Sequence, residues 1–151
     1  MQYAKNRATS ISLMANSIGA YFALLAYKEE NLKQCLFLSP VINMESLIQK
    51  MMQWFDISDE KLFKEQAIPT PIGQTLYWDY YQYVKNNPIV TWNAPTSILY
   101  GRKDNLFEYE LMLSFATTFN CKLHLSENAE HYFHTDEDMR IYKNWITDNI
   151  V

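Results

Sequence analysis

The stretch that most constrains this chain is residues 9–27, Thr-Ser-Ile-Ser-Leu-Met-Ala-Asn-Ser-Ile-Gly-Ala-Tyr-Phe-Ala-Leu-Leu-Ala-Tyr. Ile11 to Met14 is a short apolar run of the kind that forms a buried strand. The run breaks at Ala15-Asn16-Ser17-Ile18-Gly19. Ala20, Ala23, Leu24 and Tyr27 then recur at three- and four-residue spacing, which predicts a helix. A strand that turns at once into a helix leaves little room at the turn. The residues two before and two after its serine, Ala15 and Gly19, must therefore be small for the two elements to approach. Taken alone, Ser17 also suits a plain helix N-cap, for which serine is among the best residues.

The α/β rhythm continues downstream. Leu32 to Leu38 reads as a second strand, stopped by Ser39-Pro40 because proline has no N–H for the ladder. Strand, helix and strand at this spacing make a parallel βαβ unit. Pro95 to Tyr100 predicts a third strand, a helix follows from about 106 to 119, and Cys121 to Leu125 predicts a fourth strand. A polar loop from Ser126 to His134 leads to a final helix. Thr135 and Asp138 are spaced as a capping box at its start, and Trp145 and Ile146 face inward. The fold class is thus α/β, a mostly parallel sheet of about four strands flanked by helices, in one domain spanning 1–151.

Residues 43–90 differ in character. Met44, Leu47, Ile48, Met51, Met52 and Phe55 lie at helical spacing, and Ser58 is placed to cap a further short helix. Ile68 to Gly73 reads as a loop, and the aromatic run from Thr75 to Lys85 ends at Asn86-Asn87-Pro88. This is a helical excursion between two strands of one sheet. Most of its methionines and aromatics are expected to pack, and a few to line an apolar pocket.

Charge and composition exclude several functions. A formal charge of -4 and the lack of a Lys/Arg cluster argue against nucleic acid as a partner. No apolar run reaches the roughly 18–20 residues that span a bilayer, so no membrane is expected. Cys35 and Cys121 sit in apolar runs and read as buried reduced thiols, which fits a cytoplasmic protein. The three glycines form neither a dinucleotide-binding nor a P-loop turn, and the histidines and cysteines lack metal-ligand spacing. No cofactor and no metal are expected.

Position turns three weak signals into a stronger one. Ligands of open α/β sheets bind at the carboxyl ends of the strands. Ser17 follows the first strand, Asp104 the third and His131 the fourth, so all three project from one sheet edge. Singly, Asp104 also suits a helix N-cap, and His131 suits a loop residue without a task. A serine at a strand–turn–helix apex, followed in chain order by an aspartate and a histidine, is the order of the α/β-hydrolase triad.

The chain resembles the carboxyl-terminal part of an α/β-hydrolase-superfamily serine hydrolase over essentially its whole length. Ala-Asn-Ser-Ile-Gly is similar to the nucleophile elbow, with Ala15 where glycine is usual. Leu99-Tyr-Gly-Arg-Lys-Asp104 is similar to the Gly-x-x-Asp turn. Glu127-Asn-Ala-Glu-His-Tyr-Phe133 is similar to the Gly-x-x-His-x-Phe loop, with Asn128 where glycine is frequent. The resemblance implies a partial α/β-hydrolase fold with a helical lid at 43–90. It also implies Ser17 as nucleophile, His131 as general base, Asp104 as the group that orients it, and the Ile18 N–H as one oxyanion donor. His124 and His134 lie away from the base's place and are expected to be structural or solvent-facing. Trp54, Trp78 and Tyr132 are the expected substrate contacts. The implied function is hydrolysis of a small to medium carboxylic ester or thioester through an acyl-enzyme.

One departure limits that function. In the superfamily a second oxyanion donor comes from a loop upstream of the elbow. Here the strand before Ser17 is expected to have an unpaired edge and its site only one donor. The alternative is therefore a truncated, non-catalytic hydrolase-like domain that binds a ligand or forms a homo-oligomer through that edge.

Overall fold

Four apolar runs take up extended backbone, and polar or helical segments return the chain between them. The computed structural model describes residues 1–150. In chain order the elements are α1 (Gln2–Lys5), β1 (Ser12–Asn16), α2 (Ser17–Ala26), β2 (Gln34–Leu38), α3 (Met44–Trp54), α4 (Asp59–Glu65), β3 (Ala67–Pro69), β4 (Thr75–Tyr77), α5 (Trp78–Asn86), β5 (Thr96–Gly101), α6 (Tyr109–Thr118), β6 (Lys122–Ser126) and α7 (Asp136–Asn149). They form two compact units, one of residues 1–42 and 91–151 and the other of Asn43–Val90.

The first unit carries a four-stranded sheet in the order β1-β2-β5-β6. Every pair is parallel, with Ala15 opposite Phe37, Phe37 opposite Ile98 and Ile98 opposite Leu123. Parallel strands covered on both faces are apolar throughout, and the two inner strands obey that rule. All of β5 is buried, as is β2 except for half-buried Leu38. β1 instead alternates exposed and half-buried positions, because it pairs with β2 alone.

Side-chain alternation divides the core. Leu36 and Leu99 pack with Ala129, Phe133 and Trp145 of the last loop and α7, and Leu38, Ile141 and Ile146 rim this cluster. Cys35 and Phe37 point to the opposite face and are fully buried. There α2 lies against β1 and β2, burying Ala20, Ala23 and Leu24. Each such leucine or phenylalanine contributes about 1.5–3 kcal/mol of burial. Burial also pushes the Cys35 thiol up to about 12 and the Cys121 thiol up to about 11. Neither sulfur is in a disulfide. Among the described residues no helix is long and apolar enough to cross a membrane.

The second unit is not wholly helical. Asn43 caps α3 by accepting from the Ser46 N–H at 3.0 Å, and Ser58 caps α4 by accepting from Lys61 at 3.1 Å. Residues 68–73, expected as a loop, instead begin an antiparallel hairpin that pairs Ile68 with Leu76 and Pro69 with Thr75. Its turn is closed by the Thr70 N–H and hydroxyl, both donating to the Gln74 carbonyl at 2.7 Å. Gly73 takes the left-handed φ of 78° that the turn needs. Three-residue strands are too short to show alternation, and a two-stranded ribbon is all edge, where proline is tolerated.

α7 begins with a full capping box. The Asp138 N–H donates to Thr135 Oγ1 at 3.1 Å, and the Thr135 N–H donates to Asp138 Oδ2 at 3.2 Å. The hydrogen bond with the Thr135 side chain holds the Asp138 carboxyl below the ordinary carboxylate range, against the opposing effect of burial. Thr135→Ala is expected to cost about 1 kcal/mol of stability in urea unfolding. A carboxyl whose folded pKa is depressed stabilises above its unfolded value of about 3.9 and loses that contribution as pH falls through the folded value. The urea midpoint of Asp138→Asn should therefore lie below that of the parent near neutral pH. The gap should close below about pH 4. A gap independent of pH would contradict this account.

Candidate active site

The strand–helix junction is tighter than the sequence pattern implies. β1 continues through Asn16, whose φ of -127° is extended, and α2 starts at Ser17 with no intervening loop residue. Ser17 absorbs the reversal with a φ of 46°. For a non-glycine residue this left-handed conformation is strained, at a cost on the order of 1–3 kcal/mol. The chain beyond β2 supports it, since the Val41 N–H donates to the Ser17 carbonyl at 3.0 Å. The steric demand expected at Gly19 is absent. A Cβ built there meets nothing within 4 Å, because this side of the first turn of α2 is exposed.

Asp104 and His131 are brought together by backbone. After β5 the chain turns tightly, with the Asp104 N–H donating to the Gly101 carbonyl at 3.0 Å. The same turn is tied to the segment that follows β6. The Arg102 N–H donates to Ser126 O at 2.8 Å, and the Lys103 N–H donates to Ala129 O at 3.0 Å. Gly101 is what lets the two segments lie this close. A Cβ there would sit 2.5 Å from the Ala129 carbonyl oxygen and 2.6 Å from that of Glu130. This requirement was legible only as the glycine of a Gly-x-x-Asp pattern, with no hint of the contact behind it.

Three side chains form one hydrogen-bonded line. Ser17 Oγ lies 2.8 Å from His131 Nε2, and His131 Nδ1 lies 2.7 Å from Asp104 Oδ2. An ionised carboxylate only accepts, so Nδ1 carries the proton and Nε2 is left to accept from the serine hydroxyl. The His131 and Asp104 side chains are 2% and 1% exposed. The second Asp104 oxygen accepts from the Leu106 N–H at 2.8 Å, so neither oxygen of this buried carboxylate lacks a donor. Asp104 caps no helix. α6 begins five residues later, with Glu108 at its N-cap.

The remaining predicted residues fall in different places. Ile18 is the second residue of α2, so its N–H has no acceptor within the helix and lies beside Ser17 at the positive helix end. Tyr132 is largely exposed, and its ring stands edge-on to His131, with centroids 5.0 Å apart at 86°. Trp54 ends α3 and Trp78 starts α5, both in the second unit, where Trp78 packs against Phe63 and Tyr81. His124 lies in β6 against Trp145, and burial pushes its pKa down. His134 Nδ1–H donates to the Tyr132 carbonyl at 2.6 Å, bracing the segment just after His131. Among the described residues no group of three His, Cys, Asp or Glu is placed to hold a metal ion.

Solved structures similar to this chain include hydrolases and esterases. Est1E from Butyrivibrio proteoclasticus matches 97% of this chain and 65% of its own at 20% identity, with a TM-score of 0.76. Mouse alpha/beta hydrolase domain-containing protein 10 matches 97% and 64% at 15% identity, with a TM-score of 0.71. An esterase of Pyrococcus furiosus matches 97% and 57% at 17% identity, with a TM-score of 0.66. This chain thus has the α/β-hydrolase fold and spans less than two thirds of the length of these structures. No known family's sequence model matches it, and no curated protein matches it in sequence.

The contact at Gly101 generates a prediction. Gly101→Ala places a methyl group against two backbone carbonyls that cannot swing aside, so one segment must shift. We expect a loss of about 1–3 kcal/mol in urea unfolding and a Ser17–His131 separation beyond hydrogen-bond reach in a crystal structure of the variant. Unchanged stability with the 2.8 Å contact intact would contradict the role given to Gly101.

Proposed function

We propose that this chain carries the site of a serine hydrolase of the α/β-hydrolase superfamily, which cleaves a small to medium carboxylic ester or thioester. The observation that carries the reading is the line from half-buried Ser17 to the buried His131 and Asp104 side chains, with its 2.8 and 2.7 Å hydrogen bonds. In this reading Ser17 Oγ attacks the substrate carbonyl carbon and passes its proton to His131 Nε2. The carbonyl π electrons move to the oxygen, and the Ile18 N–H and the positive end of α2 stabilise the oxyanion. Asp104 fixes the imidazole tautomer and stabilises its cation. Collapse of the intermediate breaks the bond to the alcohol or thiol, which leaves with the proton from Nε2. Water then repeats the sequence on the acyl-enzyme and frees Ser17.

An apolar or aromatic acyl group suits Tyr132, which we assign to substrate contact beside His131, and we read the second unit, which holds Trp54 and Trp78, as the lid. Est1E, which shares the fold at 21% identity in that structure, was solved with ferulic acid bound. Two unpaired cysteines support a cytoplasmic location. A second reading, a non-catalytic hydrolase-like domain that binds a ligand or self-associates, draws on the unpaired outer edge of β1.

Hydrolysis of p-nitrophenyl acetate under single-turnover conditions separates the two readings. Ser17→Ala should abolish it, and Asp104→Asn should slow it by on the order of 10⁴ because the imidazole loses its tautomer. Turnover that survives Ser17→Ala would refute the hydrolase reading.

A further inference from the structure

Asp104 lies in the connection between β5 and α6, residues 102–108, which has no helix or strand of its own. A carboxylate that must meet a histidine at hydrogen-bond distance needs such a connection held at both ends. The near end is tied by the Asp104 N–H to Gly101 and by the Lys103 N–H to Ala129. The far end is gripped from inside the sheet, where the Tyr100 hydroxyl donates to the Phe107 carbonyl at 2.8 Å. Tyr100 is the residue before the last of β5. The strand thus reaches round its own turn and holds the chain beyond Asp104.

Packing does not call for that hydroxyl. The Tyr100 ring is fully buried and tilted against Tyr109, with centroids 6.3 Å apart, and Phe107 is buried beside it in sequence. A phenylalanine would fill the same space and bring no polar atom to desolvate. The oxygen also stays a donor across the neutral range. Burial, with the Asp104 carboxylate adding to it, pushes the phenol up to about 12. What the hydroxyl holds is the neighbour of the peptide that holds Asp104. The Leu106 N–H donates to Asp104 Oδ1 at 2.8 Å, and Oδ2 faces His131 Nδ1 at 2.7 Å. Releasing the Phe107 carbonyl loosens the Leu106 peptide, and a carboxylate held by one oxygen alone is free to turn about its Cβ–Cγ bond.

We infer that Tyr100 is a positioning residue of the site: its hydroxyl, acting through Phe107 and the Leu106 N–H, sets the angle at which the Asp104 carboxylate meets His131. Its effect on turnover rests on the hydrolase reading, whereas its effect on the Asp104–His131 hydrogen bond stands without it. Thr96, at the other end of the same strand, supplies the comparison. Its buried hydroxyl accepts from Trp92 Nε1 and donates to the Ala94 carbonyl, both at 2.7 Å. Tyr100→Phe and Thr96→Val each delete one buried hydroxyl from β5, and only the first of these hydroxyls grips the connection that carries Asp104.

Both variants are compared with the parent by hydrolysis of p-nitrophenyl acetate and by the proton NMR signal of His131 Nδ1–H, which a carboxylate partner draws far downfield. Tyr100→Phe should lower kcat roughly 10- to 100-fold, within the cost of a displacement of about 1 Å, and leave KM within about twofold. Its Nδ1 proton should move upfield or be lost to exchange with water. Thr96→Val should lose stability in urea and yet keep both the parental kcat and the parental signal. A parental kcat in Tyr100→Phe, equal losses of kcat in the two variants, or an Nδ1 signal that Tyr100→Phe leaves unmoved would each overturn the inference. A parent without Ser17-dependent turnover would count against the hydrolase reading instead, and the Nδ1 signals of the two variants would still decide whether Tyr100 positions Asp104.

Discussion

The hydrogen bond between His131 and Asp104 depends on a contact that involves neither side chain. Two loops, one after β5 and one after β6, must run close enough for an aspartate and a histidine 27 residues apart to meet at 2.7 Å. Adjacent parallel strands deliver the loops to the same edge, with Gly101 in register with Ser126. The absent side chain at Gly101 then lets backbone touch backbone, and the Lys103–Ala129 hydrogen bond fixes the spacing. Burial completes the arrangement. With water excluded, the carboxylate keeps His131 Nε2 as the acceptor that Ser17 faces.

Ser17 enters from the opposite direction, through strain. Its left-handed backbone is held between a strand that does not end until Asn16 and a helix that begins at once, and the Val41 N–H anchors its carbonyl. Ser39, two residues before that anchor, is itself left-handed at a φ of 40° and buried. The site is thus underpinned by two strained serines at the ends of neighbouring strands, supported by the buried β2–β5 pair. Strain of this kind persists only where surrounding packing over-determines it.

Much of this was legible in the residues. The apolar runs around Leu36, Ile98 and Leu123 became strands, and the spacing of Thr135 and Asp138 announced the capping box. The positions of Ser17, Asp104 and His131 after the first, third and fourth strands of the sheet placed them on one edge. The remainder was hidden for physical reasons. The β3–β4 hairpin is too short for its period to rise above the surrounding polar residues, and Pro69 disguises it further. The contact behind Gly101 is tertiary, and a lone glycine carries no sign of what it approaches. At Gly19 no part of residues 1–150 comes within 4 Å of where a Cβ would sit, so the described residues give no steric reason for a glycine there.

The central claim is that His131 activates Ser17 towards acylation. A fluorophosphonate probe tests it most directly, since such a reagent bonds to a serine whose proton an adjacent base removes. Incubated with the 151-residue protein and followed by intact mass and peptide mapping, it should add once, at Ser17, and should fail to add to His131→Ala. A folded chain that takes up no probe, or takes it up at another residue, would contradict the account.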